Sequence, residues 1–304
     1  MSHKILSTPH GTWIDVHSAT PDDLAALREE ITIHPLALEE FSTPTVRSRA
    51  TQYRDGIFLS LHIPLFDRTE RATYGAELDI LLTETHLITG HTLPIYQLDT
   101  FFQSLSDNPT LHTHHSGTGP AFLLHAILDI LLNSCFARLE HIGENIDAIE
   151  RGVFHGDARQ MVEEISIVKR DILNFRRAVM PQRSVIESLL RKDERFVPRS
   201  IHPYIHDLAG TNTRIWNMLE NYKETIESLE STNDTLLTHR LNEKINALTL
   251  ISALVLPSTL YASILGINAL IPLQDHPHGF LIHAGIMTVL VIVTAVIFRI
   301  KRWI

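Results

Sequence analysis

The sequence predicts an α/β N-terminal cytoplasmic domain, a long-helix stalk and two transmembrane helices. Three observations carry this prediction. Two uncharged apolar stretches, Ile245 to Ile267 and Gly279 to Phe298, stand near the C-terminus with a short loop between them. Short strand-like runs alternate with helical ones over residues 1–119. Residues 120–244 repeat their apolar positions at helical spacing.

The elements follow in order. Thr12 to Val16, Gly56 to Ile63 and Ala76 to Leu82 are strand-like, and His86 to Gly90 completes a hairpin with the last of them. Pro21 to Ile31 is a helix with Thr20 as N-cap and Pro21 at its first position. Leu93 to Leu105 is a second helix. These elements make a small α/β domain on a largely antiparallel or mixed sheet. The polar run His112 to Pro120 breaks the pattern, which places a domain boundary after residue 119. Ala121 to about Phe154 is helical. Asp157 caps a further helix to about Arg191, with Pro181 as a possible kink. The next helix begins near His202 and meets no strong breaker until Pro257. Continuous from Ile201 to Ile267, it would measure roughly 100 Å, the length of a stalk carrying a cytoplasmic domain into a membrane. Gly210 within it costs about 1 kcal/mol. Pro257 falls within the apolar stretch, where neighbouring helices satisfy the freed carbonyl. The expected segments are therefore 1–119, 120–244 and 245–304.

A hydrocarbon core of about 30 Å takes about 20 helical residues. The two apolar stretches have 23 and 20. Residues 269–278 are too few for anything but a hairpin turn outside the membrane. Arg240 and Lys244 precede the first span; Arg299, Lys301 and Arg302 follow the second; the loop has neither Lys nor Arg. Both termini are therefore expected in the cytoplasm, with Trp303 as an interfacial anchor. Met1 to Thr12 has no apolar core, so no cleavable signal is expected. Two helices cannot enclose an ion path, so any channel built on this anchor is oligomeric.

The formal net charge is −9, and Asp275 is the only charged residue between Ile245 and Phe298. An acidic polar part argues against nucleic acid and fits cations as partners or plain solubility. Cys135 is the only cysteine, so there is no intrachain disulfide, and its apolar neighbours make it a packing residue. No phosphate-binding loop and no nucleophile–base constellation stands out, so no enzyme and no prosthetic group is expected. Energy for any transport would come from an ion gradient or the membrane potential, about 2.3 kcal/mol per charge per 100 mV.

Along the first span, Thr249, Ser252, Leu256, Thr259 and Ser263 form one helical stripe, continued toward the cytoplasm by Ile245 and Asn242. Two readings fit it. Small polar residues favour helix contacts in lipid. Alternatively, symmetry turns the stripe into rings of hydroxyls and amides lining a path for a hydrated cation. Nineteen histidines include His112, His114 and His115 in the polar break, and His276 and His278 near Asp275 in the loop. Imidazole suits zinc, nickel and copper better than magnesium. Loop histidines that are simply solvated are the other reading. His62, His125 and His141 lie in apolar-periodic elements and read as structural.

Leu256-Pro257-Ser258-Thr259-Leu260, then Gly266-Ile267-Asn268, a short loop, a second span and Lys301-Arg302-Trp303 resemble the CorA metal-ion transporter family. The run Leu241 to Thr249 is similar to that family's Thr-Asn-x-x-Met-Lys-x-Leu-Thr segment. Trp13 to Val16, His34 to Glu40 and Glu77 to Ile80 match its N-terminal domain, so the resemblance covers nearly the whole chain. It implies a homopentameric, funnel-shaped channel or transporter of the inner membrane, in contact with lipid, for divalent cations. Asn268 would form the outer ring and Asn242 an inner ring. Ile245, Leu248 and Leu256 would be apolar constrictions. Asp207 matches a stalk position that binds a regulatory cation between subunits.

Gly-Ile-Asn replaces the Gly-Met-Asn of the magnesium branch and is closer to the ZntB branch, which is associated with zinc. Asn246 stands where the family has Lys, and the loop carboxylate, Asp275, arrives late beside His276 and His278. The cargo implied is Zn2+ or Mg2+, with Co2+ or Ni2+ also compatible. Two other readings stay open: a CorA-like scaffold or sensor that does not conduct, and a tail-anchored metal-handling protein.

Overall fold

Alternating apolar residues build the sheet. The computed structural model describes residues 3–8, 11–45, 47–108, 119–155, 158–267 and 277–301. Its strands are β1 (His3–Thr8), β2 (Gly11–His17), β3 (Arg49–Gln52), β4 (Ile57–Asp67), β5 (Ala72–Leu82) and β6 (His86–His91). They form one sheet in the order β1-β2-β6-β5-β4-β3. The β2–β6 pair is parallel and every other pair antiparallel. The sheet is thus mixed, as the sequence predicts. The two edge strands, β1 and β3, are additions to the sequence reading. Lys4, Ser7, Arg49 and Gln52 give them the polar character that guards a sheet edge and hides a strand from pattern recognition.

Register places Ile14 opposite Ile88, Ile88 opposite Leu81 and Leu81 opposite Phe58. This row faces α1 (Pro21–Glu30) and α2 (Pro35–Ser42), whose Leu27, Ala37, Leu38 and Phe41 close one core. Thr20 and Asp23 form a reciprocal capping box at the start of α1, and Pro21 takes the first turn. α2 is a further addition to the sequence reading, in which His34 to Glu40 is only a matching segment; His34 caps it and Pro35 opens it.

The opposite face of the sheet carries α3 (Tyr96–Asp107), α4 (Pro120–His155), α5 (Ala158–Val179) and α6 (Gln182–Leu189). Trp13, fully buried, packs its ring 5.9 Å and 4.8 Å from those of Phe101 and Phe102 of α3. Its indole N–H donates to Thr89 Oγ1 at 2.9 Å, and Thr89 donates to the buried Asp15 at 2.6 Å. Cys135 of α4 is buried beside Leu131 and Leu132, and burial pushes its thiol up to about 12, as befits a packing residue. His62 is held at both ring nitrogens by Ser48 Oγ and the Thr45 carbonyl, a structural role.

One expected helix is two. The run expected from about residue 158 to Arg191 divides into α5 and α6 at Met180-Pro181. Proline lacks the N–H for the helical ladder and crowds the preceding turn, so the helix breaks there instead of kinking. The expected Asp157 cap and the histidines at 112, 114 and 115 lie outside the described residues, as does Trp303.

A three-residue 3-10 turn (Arg199–Ile201) leads into α7 (His202–Leu265), 64 residues in one helix with Pro257 inside it. The chain divides into two compact units, Met1–Asn233 and Asp234–Ile304, and α7 contributes to both. Within the first unit, α7 buries Ile205, Leu208, Ile215, Leu219, Ile226 and Leu229, a helical stripe. The Arg176 guanidinium of α5 lies 4.7 Å from the Trp216 ring of α7. Gly143 of α4 leaves room for Tyr222, whose hydroxyl would lie 2.9 Å from a Cβ there.

The second unit comprises the end of α7 and α8 (Gly279–Ile300). By length and composition, three helical stretches among the described residues are apolar enough to cross a membrane: α4, the 199–265 stretch and α8. Burial separates them. The apolar window of α4 is 56% buried in the protein, whereas those of the other two are 6% and 0% buried. α4 buries more than half of its apolar window, against the sheet and against α3 and α5; α7 and α8 have apolar surface left for lipid or further helices.

Candidate functional site

The polar stripe predicted on the first span has a defined direction. Ser258, nearly buried, donates to the Met287 carbonyl of α8 at 3.3 Å. One turn further on, Tyr261 and His283 share a 2.7 Å hydrogen bond. Ala253, Leu254, Pro257 and Leu265 are also partly covered, so this side of α7 faces α8. At about 100° per residue, Thr249, Ser252, Leu256, Thr259 and Ser263 fall on the other side of the helix. All five are exposed, as are Asn242, Ile245 and Leu248.

The stripe hydroxyls share one geometry. Thr249 donates to the Ile245 carbonyl, Ser252 to Leu248, Thr259 to Val255 and Ser263 to Thr259, at 2.8 to 3.1 Å. Each proton is spent on the residue four positions back, so the oxygen lone pairs point outward as acceptors. Such a row can accept hydrogen bonds from the water shell of a cation. It holds no formal charge with which to strip that shell.

The other expected positions are distributed as follows. Gly266 and Ile267 follow the end of α7, both exposed. His278 is exposed at the N-cap position of α8. Asp207 is exposed near the start of α7, in the first unit. Asn268, Asp275 and His276 lie outside the described residues. Among the described residues, no group of three or more His, Cys, Asp or Glu side chains is placed to hold a metal.

Sequence reasoning passed over Ser258, Tyr261 and His283, which join the two apolar helices. The signal was present: a histidine inside an apolar span is expensive unless it finds a partner. It also passed over an acidic cavity in the first unit. Asp79 and Glu77 are neighbours on one face of β5 and line a cavity of about 220 Å3. Burial, above all, pushes the Asp79 carboxyl up to about 7; the charges of Glu77 and Glu40 add to this, while Ser60 and Arg49 oppose it.

Comparison with known proteins agrees with this architecture. A structure of the complete CorA magnesium transporter from Methanocaldococcus jannaschii superposes with a TM-score of 0.85 at 22% identity, covering 98% of this chain and 94% of that one. The cobalt/magnesium transport protein CorA of Thermotoga maritima is 23% identical over 299 residues, 98% of this chain and 84% of the relative. The zinc transport protein ZntB of Yersinia pseudotuberculosis is 19% identical over 314 aligned positions, 98% of this chain and 90% of the relative. The family model described as CorA-like Mg2+ transporter protein matches residues 10–302. On that match, spanning nearly the whole sequence, the chain belongs to the CorA-like Mg2+ transporter family.

Proposed function

We propose that the chain is a homopentameric channel or transporter of the inner membrane that moves a hydrated divalent cation, Zn2+ or Mg2+, along the first span. The family is one of membrane divalent-cation transporters, not enzymes. One observation carries the finer reading: the stripe from Asn242 to Ser263 turns away from the chain's own second span and is exposed in a single copy. Hydroxyl acceptors facing hydrocarbon would be unsatisfied, and only further copies of the helix can convert them into a lined path.

In this reading residues 1–119 and 120–244 form the cytoplasmic part, residues 245–304 the membrane part, and both termini are cytoplasmic. Asn268 forms the outer ring and Asn242 an inner ring, with Ile245, Leu248 and Leu256 as apolar constrictions. Asp207 holds a regulatory cation against a neighbouring subunit. Asp275, His276 and His278 gather the cargo at the mouth.

The test is metal uptake into sealed liposomes, for Mg2+ and Zn2+ separately, with and without a proton gradient. Wild-type protein should admit at least one of them, and Asn268→Ala should abolish uptake while the oligomer survives cross-linking. An intact pentamer that admits neither cation would overturn conduction. Wild-type uptake by Asn268→Ala would overturn the outer ring.

A further inference from the structure

The acidic cavity of the first unit shares no lining residue with the membrane stripe or with Asp207. We propose that it binds one hydrated hard divalent cation of the Mg2+ class, within a single chain and without a neighbouring subunit.

The strand period sets up the site. Glu77 and Asp79 stand two residues apart on β5, so both carboxylates point to the same side of the sheet. Asp79 is 93% buried by its 7% relative exposure. Asp79 lines the cavity, and its Oδ1 has no hydrogen-bond partner among the described residues. A buried carboxylate oxygen left unsatisfied is costly, and a cation or its water relieves that cost. Arg49, whose charge reaches Asp79, is itself paired with Glu40 at 3.3 Å. Glu77 is positioned, not neutralised: the Thr45 N–H, the Thr45 hydroxyl and the Ser60 hydroxyl all donate to its Oε1, at 2.6, 2.7 and 3.3 Å.

The walls suit a hydrated ion. Ser18, Thr43 and Thr92 complete the polar lining; His91 also lines the cavity, with its ring nitrogens turned to Asp15 and the Leu93 carbonyl. Ser18 adopts φ 52°, an uncommon conformation for a residue with a side chain, and its N–H donates to the His91 carbonyl at 2.9 Å. Gly90, opposite Asp79 in the ladder, lets the Phe41 ring close the apolar wall; a Cβ there would fall 2.3 Å from that ring. A volume of about 220 Å3 holds about seven waters at about 30 Å3 each, room for an ion with its first shell. Mg2+ keeps several waters and commonly takes only one or two carboxylates, the number present here.

The experiment uses the full chain in detergent with Mn2+ as the probe, on an Asp207→Asn background so that loss of the stalk site is not confused with loss of this one. Crystals grown with Mn2+ should show an anomalous peak in the cavity, within about 5 Å of the Asp79 carboxylate, the reach of one bridging water. Counting bound Mn2+ by electron paramagnetic resonance, Asp79→Asn should bind one ion fewer per chain than its Asp207→Asn parent. An empty cavity at saturating Mn2+, or an unchanged count in a folded Asp79→Asn protein, would overturn the site. If Asp79→Asn fails to fold, the anomalous map alone decides. Because the cavity needs no pore, loss of conduction elsewhere leaves this result unaffected.

Discussion

Tyr261 of α7 and His283 of α8 meet through a 2.7 Å hydrogen bond between the two apolar helices. With Ser258 bonded to the Met287 carbonyl, the pair fixes which side of α7 faces its own partner and hence which side is left for other copies. Polar contacts between membrane helices contribute about 0.6 kcal/mol on average and up to about 1.7 kcal/mol. Tyr261→Phe should therefore lower unfolding stability in mixed micelles by an amount within that range, with little change in helix content. No measurable change would mean the bond is not what orients the helices.

Asp207→Asn bears on regulation. If a cation bridges Asp207 to a neighbouring subunit, Mg2+ should protect wild-type protein from limited proteolysis. The variant should need about fivefold more Mg2+ or greater for the same protection, the lower end of ordinary coupling between sites. Superimposable protection curves would leave Asp207 a solvated carboxylate.

Asp79 gives a pH prediction with a definite sign. Its folded value, about 7, lies above the ordinary 3.8. Folding therefore favours the protonated form. Stability from this group is full below about pH 4 and is lost as pH rises through about 7. Glu77 and Glu40 reinforce the shift and Arg49 opposes it. With divalent cations chelated, Asp79→Asn should match wild type near pH 4 and exceed it by on the order of 3 kcal/mol near pH 8, read by denaturant unfolding. A difference that does not grow with pH would show that burial does not penalise this carboxylate.

The loop histidines give a prediction about cargo preference. Neutral imidazoles favour borderline metals over magnesium. Replacing His276 and His278 together by Gln should lower zinc uptake at low concentration severalfold, at fixed proton gradient, and leave magnesium uptake near wild type. Equal zinc uptake by variant and wild type would remove these residues from cargo capture.

The amino-acid order alone determined the two apolar spans, because crossing a bilayer is a matter of length and missing charge, both local properties. It also determined β2, β4, β5, β6 and the unbroken helix now seen as α7, because their apolar periods are strong. The stripe of Thr249, Ser252, Thr259 and Ser263 was legible for the same reason. Its direction was not: a helical period names a face but not what the face meets, and only the contacts of Ser258 and Tyr261 with α8 settle that. Tertiary structure likewise decided that α4, apolar enough to span a membrane, buries most of that surface within the protein, against the sheet, α3 and α5. The acidic cavity belongs wholly to the fold. Residues as separate in sequence as Ser18, Thr43, Asp79 and Thr92 meet there only because the strand order sets β6 between β2 and β5. Side-chain spacing along one strand carries no record of what lies across the sheet.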